Sequence, residues 1–224
     1  SVGLRASLLA SQAQPNDALL DWMHANRTVE LTWDLDTSKL LFDVLVRGNA
    51  RSWRFLEVTN IVERALPEID KAIRARRGDA SELDPTHSMQ MPTVELLRDR
   101  VGRNTFSDSA IFFAAFVLDF SDDSPAIGII NRLVFHENIA QQIRALVAAS
   151  ALLHTAASSE TIENNARNMA QLADFLGSPL MVEQCRILTE ARGNLEDWQY
   201  PLLLDITTGV QELLAHPELI EGIE

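Results

Sequence analysis

Three aspartates near the middle of the chain could take part in metal chemistry. Asp119 ends a strongly apolar stretch, and Asp122 and Asp123 follow it closely. Carboxylate oxygens are the ligands that Mg²⁺ prefers, so such a cluster could hold an ion that activates water for attack on a phosphate ester. His87 could assist if its loop folds over them. The alternative is that Asp122 and Asp123 only open the next helix before Pro125, and the local spacing favours this second interpretation.

Other motifs give weaker signals. Asp34 and Asp36 have the spacing of a magnesium-binding pair, but no Gly-Ser turn precedes them, and helix capping is the better interpretation. The basic run from Arg74 to Arg77 could meet a phosphate, although a solvated helix C-terminus explains it more simply. None of the five histidines forms an H-x-x-x-H pair or is followed by aspartate, which argues against a helical zinc-protease site. The sequence also has no serine nucleophile elbow, phosphate-binding loop or dinucleotide fingerprint.

The composition narrows the class of protein. The 224 residues include 19 Lys and Arg against 32 Asp and Glu, a formal net charge of −13. This acidity opposes nucleic-acid binding, which needs a positive surface field. The single cysteine, Cys185, excludes an intramolecular disulfide, and no apolar run is long enough to span a membrane. Because no secretory signal pattern opens the sequence either, we expect a cytoplasmic protein that binds neither nucleic acid nor membranes.

Apolar residues recur at helical spacing along most of the chain, which predicts an all-α fold. We expect Asp36 or Thr37 to cap a helix that stops at Gly48 in a left-handed conformation. Asn49 should start the next helix, whose apolar pattern continues to Leu66. The chain contains no alternating strand pattern of useful length, so the prediction of an all-α fold is unambiguous.

The residues 109–120 are apolar on almost every side, which predicts a helix buried at the centre of a bundle. Further helices are expected at about 125–134, 137–155, 160–176, 179–192 and 195–214. Residues 78–92 have no clear period, and we interpret them as the seam between two parts. The prediction is an N-terminal helical subdomain (1–80) packed on a helical domain (90–214).

Three stretches carry a resemblance to a known family. Residues 53–69 end in a Leu-Pro-Glu-Ile step, residues 84–87 read Asp-Pro-Thr-His, and residues 188–191 read Leu-Thr-Glu-Ala ahead of Trp198. Together they resemble the HD-domain region of the bacterial bifunctional uridylyltransferase and uridylyl-removing enzyme that acts on the nitrogen-regulatory PII protein. The resemblance covers roughly residues 40–200 in the order of its elements, and it implies an HD-like helical bundle.

The same resemblance implies that the metal-binding set is largely lost. The first metal-binding histidine of the family falls near Val94, and the His-Asp pair falls at Leu118 and Asp119, where only the carboxylate remains. The next histidines would lie in 122–124 and 146–150, and neither segment has one. Arg192 stands where the last aspartate should be, and its permanent charge would repel a metal ion and could pair with Asp119 or with a bound anion.

We therefore expect a degenerate HD-like domain without hydrolase activity, cofactor or metal. It should act as a regulatory or interaction domain of a signalling protein similar to the PII-modifying enzymes. Its partner would be a protein or further domains of a longer chain, or a small anionic or nucleotide ligand. The candidate ligand-binding residues are His87, Asp119, Asp122, Asp123 and Arg192. Two alternatives stay open: a metal-dependent uridylyl-removing phosphohydrolase that uses the aspartate cluster, and a helical sensory or interaction module unrelated to HD enzymes.

Overall fold

The computed structural model describes residues 1–77, 89–101, 109–120, 127–158, 162–193, 195–216 and 218. Within these ranges the chain forms thirteen α-helices and no strand, which confirms the all-α prediction. In chain order they are α1 (Val2–Ala10), α2 (Asp17–Ala25), α3 (Leu35–Arg47), α4 (Ala50–Val58), α5 (Ile61–Ala65), α6 (Pro67–Arg77), α7 (Pro92–Val101), α8 (Ser109–Phe120), α9 (Ile127–Arg132), α10 (Glu137–Ala157), α11 (Ile162–Leu176), α12 (Pro179–Arg192) and α13 (Gln199–Ala215). None of these helices combines the length and the apolar character needed to cross a membrane.

The helix that begins at Leu35 has a different cap from the one expected. The cap is Asp34, whose side chain accepts a hydrogen bond of 2.7 Å from the backbone N–H of Thr37. Asp36 and Thr37 already lie inside the helix, so the predicted cap falls two or three residues after the observed one. Gly48 does end α3, but its φ of −71° is extended rather than left-handed, and the predicted stop geometry is wrong.

The helical pattern after Gly48 is broken in the middle. Asn49 caps α4 as predicted, in a capping box with Ser52. The chain then turns at Asn60, which has a φ of 61°, and α5 starts at Ile61. The apolar spacing looked continuous because both short helices bury their apolar side chains on the same core.

Helix α8 lies at the centre of the fold, as its all-round apolar pattern predicted. Every residue of α8 except Leu118 is buried. Its phenylalanine rings contact aromatic rings from three other parts of the chain. The distances between ring centres are 5.9 Å for Phe112 and Phe42, 4.8 Å for Phe113 and Phe135, and 5.4 Å for Phe116 and Trp53.

The long helix α10 organises the C-terminal bundle. It packs against α8, α11, α12 and α13, while α7 packs against α8 and α12. The N-terminal helices α3 and α6 also contact α8, and the buried apolar side chains of both parts form one continuous core. The proposed seam falls mainly on 78–88, outside the described residues, so the division into 1–80 and 90–214 stays a prediction.

Candidate functional site

Of the three clustered aspartates, Asp119 lies within the described residues. It is buried at the end of α8, with 8% of its surface exposed. Its Oδ1 accepts a hydrogen bond of 3.0 Å from the backbone N–H of Thr93, and its Oδ2 accepts one of 3.1 Å from that of Val94. Both donors belong to the first turn of α7, which begins at Pro92. The first N–H groups of a helix have no partner within the helix, so Asp119 acts as an N-terminal cap supplied by another helix.

Arg76 completes this centre from α6. Its Nη1 donates a hydrogen bond of 2.9 Å to the carbonyl of Gln90, and its Nη2 donates one to the carbonyl of Asp119. The guanidinium carbon also lies 4.5 Å from the centre of the Phe120 ring, which is a cation–π distance. Arg76 therefore links α6, the residues before α7 and the end of α8. The interpretation of this basic run as a solvated helix end is wrong for Arg76.

The protonation of Asp119 depends on opposing effects. Burial raises the pKa of Asp119 above its ordinary value of 3.8, and the hydrogen bonds from Thr93 and Val94 and the charge of Arg76 only partly offset it. Two helices and one guanidinium thus hold a carboxylate that has been removed from water. This is the geometry of a structural tie between α7 and α8.

We expect the free energy of unfolding to depend on pH through this group. Because the folded state retains the Asp119 proton at pH values where the unfolded chain has lost it, the contribution of Asp119 to stability falls as the pH rises above 3.8. Asparagine does not titrate, so the free energy of unfolding of wild type, relative to that of Asp119→Asn, should decrease as the pH rises above 3.8. Urea denaturation of both proteins at a series of pH values measures the difference. A relative gain for wild type with rising pH would mean that the hydrogen bonds and Arg76 outweigh burial.

The other predicted site residues do not join Asp119 in the described structure. Asp122, Asp123 and His87 lie outside the described residues. Arg192 is half-buried in the last turn of α12. Glu190, two residues earlier in the same turn, pairs with Arg100 in the last turn of α7. Because Asp119 sits at the first turn of α7, the two predicted partners lie toward opposite ends of this helix.

Arg192 was expected to lie near Asp119 and could have paired with it or with a bound anion. No ion pair joins them among the residues that the structure describes, and the cation beside Asp119 is Arg76. The resemblance placed Arg192 by its position after the Leu-Thr-Glu-Ala stretch, whereas Glu190 in the same turn of α12 pairs with Arg100 at the C-terminal end of α7. By contrast, Val94 and Asp119, which the resemblance placed on one site, are in direct contact.

Among the residues that the structure describes, no group of three or more His, Cys, Asp or Glu side chains is placed to hold a metal ion. The single cysteine is buried in α12, and burial raises the pKa of the Cys185 thiol to about 12. A thiol of this kind stays protonated at neutral pH and is a core residue rather than a nucleophile or ligand.

A second candidate site is a cavity that was not predicted from the sequence. It has a volume of about 450 Å³ and lies between α1, α2, the segment that joins α2 to α3, and α5. Trp22, Trp33 and Arg64 are among its lining residues. The nearest signal in the sequence is the two tryptophans that flank a short stretch with no helical period. Arg64 lies in an apolar pattern and gave no signal at all.

Comparison with known proteins found no match. No family model matches the chain, and neither the curated proteins nor the solved structures contain a significant match. The function therefore has to be inferred from the geometry of this chain.

Proposed function

We propose that the chain is a non-catalytic, HD-like regulatory or interaction domain of a signalling protein similar to the PII-uridylyltransferases. The observation that carries the proposal is the engagement of Asp119. Both of its carboxylate oxygens accept backbone N–H groups from the first turn of α7. The one candidate ligand of the His-Asp pair that this chain retains is thus used to hold two helices together.

Metal binding at this position meets two obstacles. A cation would have to compete with two backbone donors for the oxygens of a buried carboxylate, and losing a cap leaves those donors unsatisfied. The Arg76 guanidinium donates a hydrogen bond to the backbone carbonyl of Asp119, so its fixed positive charge lies beside the residue that would have to bind the metal ion. A cation and a guanidinium repel each other in a buried environment, where charges are screened less than in water.

The contact between positions 94 and 119 supports the HD-like part of the proposal. In the resembling family both positions carry metal ligands, so they must lie side by side in the fold. Here the backbone nitrogen of Val94 lies 3.1 Å from Oδ2 of Asp119, although the two residues belong to different helices. A valine with no exposed surface stands where an imidazole would reach the metal. The scaffold would then be kept while the chemistry is lost.

An HD-like domain without metal chemistry is suited to an interaction role. The net charge of −13 disfavours nucleic acid, so the proposed partner is a protein, another domain of a longer chain, or a small anionic or nucleotide ligand. Regulation would work through such a partner rather than through hydrolysis.

Metal content tests the proposal. Protein purified without chelator should contain no stoichiometric Mn, Fe or Zn by mass spectrometry, and its melting temperature should not change with Mn²⁺ or Mg²⁺. A site that binds one of these ions would stabilise the fold by about 2.7 kcal/mol at a concentration one hundred times its Kd. Such stabilisation would contradict the proposal. The double variant Asp122→Asn/Asp123→Asn then identifies the site, because loss of the metal effect in this variant would establish the aspartate-cluster phosphohydrolase instead.

A further inference from the structure

The cavity beside α5 has the dimensions of a small-molecule site. Its volume of about 450 Å³ falls within the range of about 300–1,000 Å³ that is usual for ligand pockets. No residue of the Asp119 centre lines it. An inference about this cavity is therefore independent of the proposed loss of metal chemistry.

The walls and rim of the cavity are rich in apolar surface. The exposed fractions of Val2, Trp22, Val29 and Leu31 are 52%, 49%, 53% and 37%, and all four side chains line the cavity. Exposed apolar side chains that cluster around one concave surface are typical of a binding site, whereas apolar side chains scattered singly over a surface are not. Trp33 is half-buried, and its Nε1 donates a hydrogen bond of 3.1 Å to the carbonyl of Ala65, which fixes the indole against α5. The site thus offers two tryptophans, one of them held in place.

Arg64 is the arginine among the residues that line the cavity. It belongs to α5, is half-buried, and makes no hydrogen bond or ion pair with any residue that the structure describes. Its Nη2 is buried without an acceptor. Arg64 lines the cavity and is only half-buried, so an oxygen that approaches its guanidinium from the cavity gains both a charge-assisted hydrogen bond and the attraction of opposite charges. The planar fork of an arginine matches a carboxylate in particular.

Two acids also line the cavity, and their positions decide where an anion can bind. Asp34 is occupied as the cap of α3: the hydrogen bonds from Thr37 lower the pKa of Asp34, and its side chain faces solvent. Glu30 is exposed in the segment between α2 and α3. Both acids are exposed and repel a negative group on a ligand, whereas the half-buried Arg64 attracts it.

We infer that this cavity binds a small molecule that has an aromatic or apolar body and a single carboxylate. The body packs against Trp22 and Trp33, and the carboxylate pairs with Arg64. The apolar part contributes most of the buried area, and the ion pair fixes the orientation.

Three indole probes of nearly equal shape test the inference: indole-3-acetate, the neutral indole-3-acetamide and the cationic tryptamine. Titration followed by ¹H–¹⁵N NMR should show that indole-3-acetate binds most tightly and shifts the side-chain N–H signals of Trp22 and Trp33, but not those of Trp53 or Trp198. Arg64→Met should weaken its binding about tenfold or more, which is the effect of losing one charge-assisted hydrogen-bonded pair. Arg5→Met is the matched control, because Arg5 is exposed on α1 and does not line the cavity.

The rim provides a second test that does not disturb the core. Val29→Lys should strengthen and Val29→Glu should weaken the binding of indole-3-acetate, since this exposed side chain places its charge at the entrance. The effects on tryptamine should be opposite in sign. Equal binding of indole-3-acetate by wild type and Arg64→Met would overturn the inference. So would tighter binding of the acetamide or of tryptamine, or the absence of saturable indole-3-acetate binding to wild type.

Discussion

Replacing Asp119 by alanine is expected to lower the free energy of unfolding by about 2–4 kcal/mol, since two buried helix N–H donors lose the acceptor that Asp119 gives them. The donors are those of Thr93 and Val94, both of which are buried. Denaturation by urea, followed by circular dichroism, measures the loss. Because both oxygens of Asp119 are used, the effect should exceed that of removing an ordinary surface cap.

The matched control is Asp36→Ala. The Asp36 side chain is 88% exposed and lies 3.7 Å from Lys39 in a surface ion pair, so its removal should change stability by less than about 0.5 kcal/mol. If Asp119→Ala were as mild as Asp36→Ala, the carboxylate could not be the cap of α7. Asp119 would then be free to act as a ligand, and the proposed function would lose its support.

Replacing Phe116 by alanine is expected to cost about 3–5 kcal/mol, the usual range for removing a fully buried aromatic side chain. Phe116 has no exposed surface, and its ring lies 5.4 Å from Trp53 and 5.5 Å from Phe120. The contact with Trp53 joins α4 to α8, on either side of the predicted seam. The loss should therefore appear in both parts at once, as one cooperative transition with a lower midpoint.

Tryptophan fluorescence and circular dichroism should report the same midpoint for this variant. Phe175→Ala is the control, because Phe175 is 46% exposed at the end of α11 and its truncation leaves no core cavity. Two separated transitions in Phe116→Ala would show that the N-terminal helices and the C-terminal bundle fold as independent units. A small effect on stability would contradict the placement of α8 at the centre of the core.

Local rules predicted the central helix from the sequence, although they failed for the cap and the stop geometry of α3. The apolar character of residues 109–120 on all sides predicted the buried central helix, because such a helix cannot face water. Gly177 and Gly193 directly follow the predicted helices 160–176 and 179–192, and both have the positive φ values typical of helix stops, of 62° and 73°. The turn at Asn60 was missed because apolar spacing records which side chains are buried, and two short helices that share a core keep the same spacing. Helix α1 was missed because no helix boundary signal was found in residues 1–10.

The site could be predicted only in part, because it depends on contacts between distant segments. Position 119 was identified from its place at the end of the apolar helix, but nothing local shows that α7 begins beside it. Arg76 was misinterpreted because the helix-dipole rule explains a basic C-terminus without any tertiary contact. Arg192 was placed by a resemblance in sequence order alone, and order does not fix which end of α7 a residue of α12 meets. The cavity at Arg64 combines residues from three separate stretches, 1–4, 22–37 and 56–66, which no local pattern can bring together.

Crystals grown in manganese and measured at the manganese absorption edge would locate any bound metal ion and show the state of Asp119. We predict no anomalous peak beside Asp119, with its two carboxylate oxygens within hydrogen-bonding distance of the N–H groups of Thr93 and Val94. A strong peak within coordination distance of Asp119, with the carboxylate turned away from α7, would contradict the proposal that this aspartate is a helix cap in a non-catalytic domain.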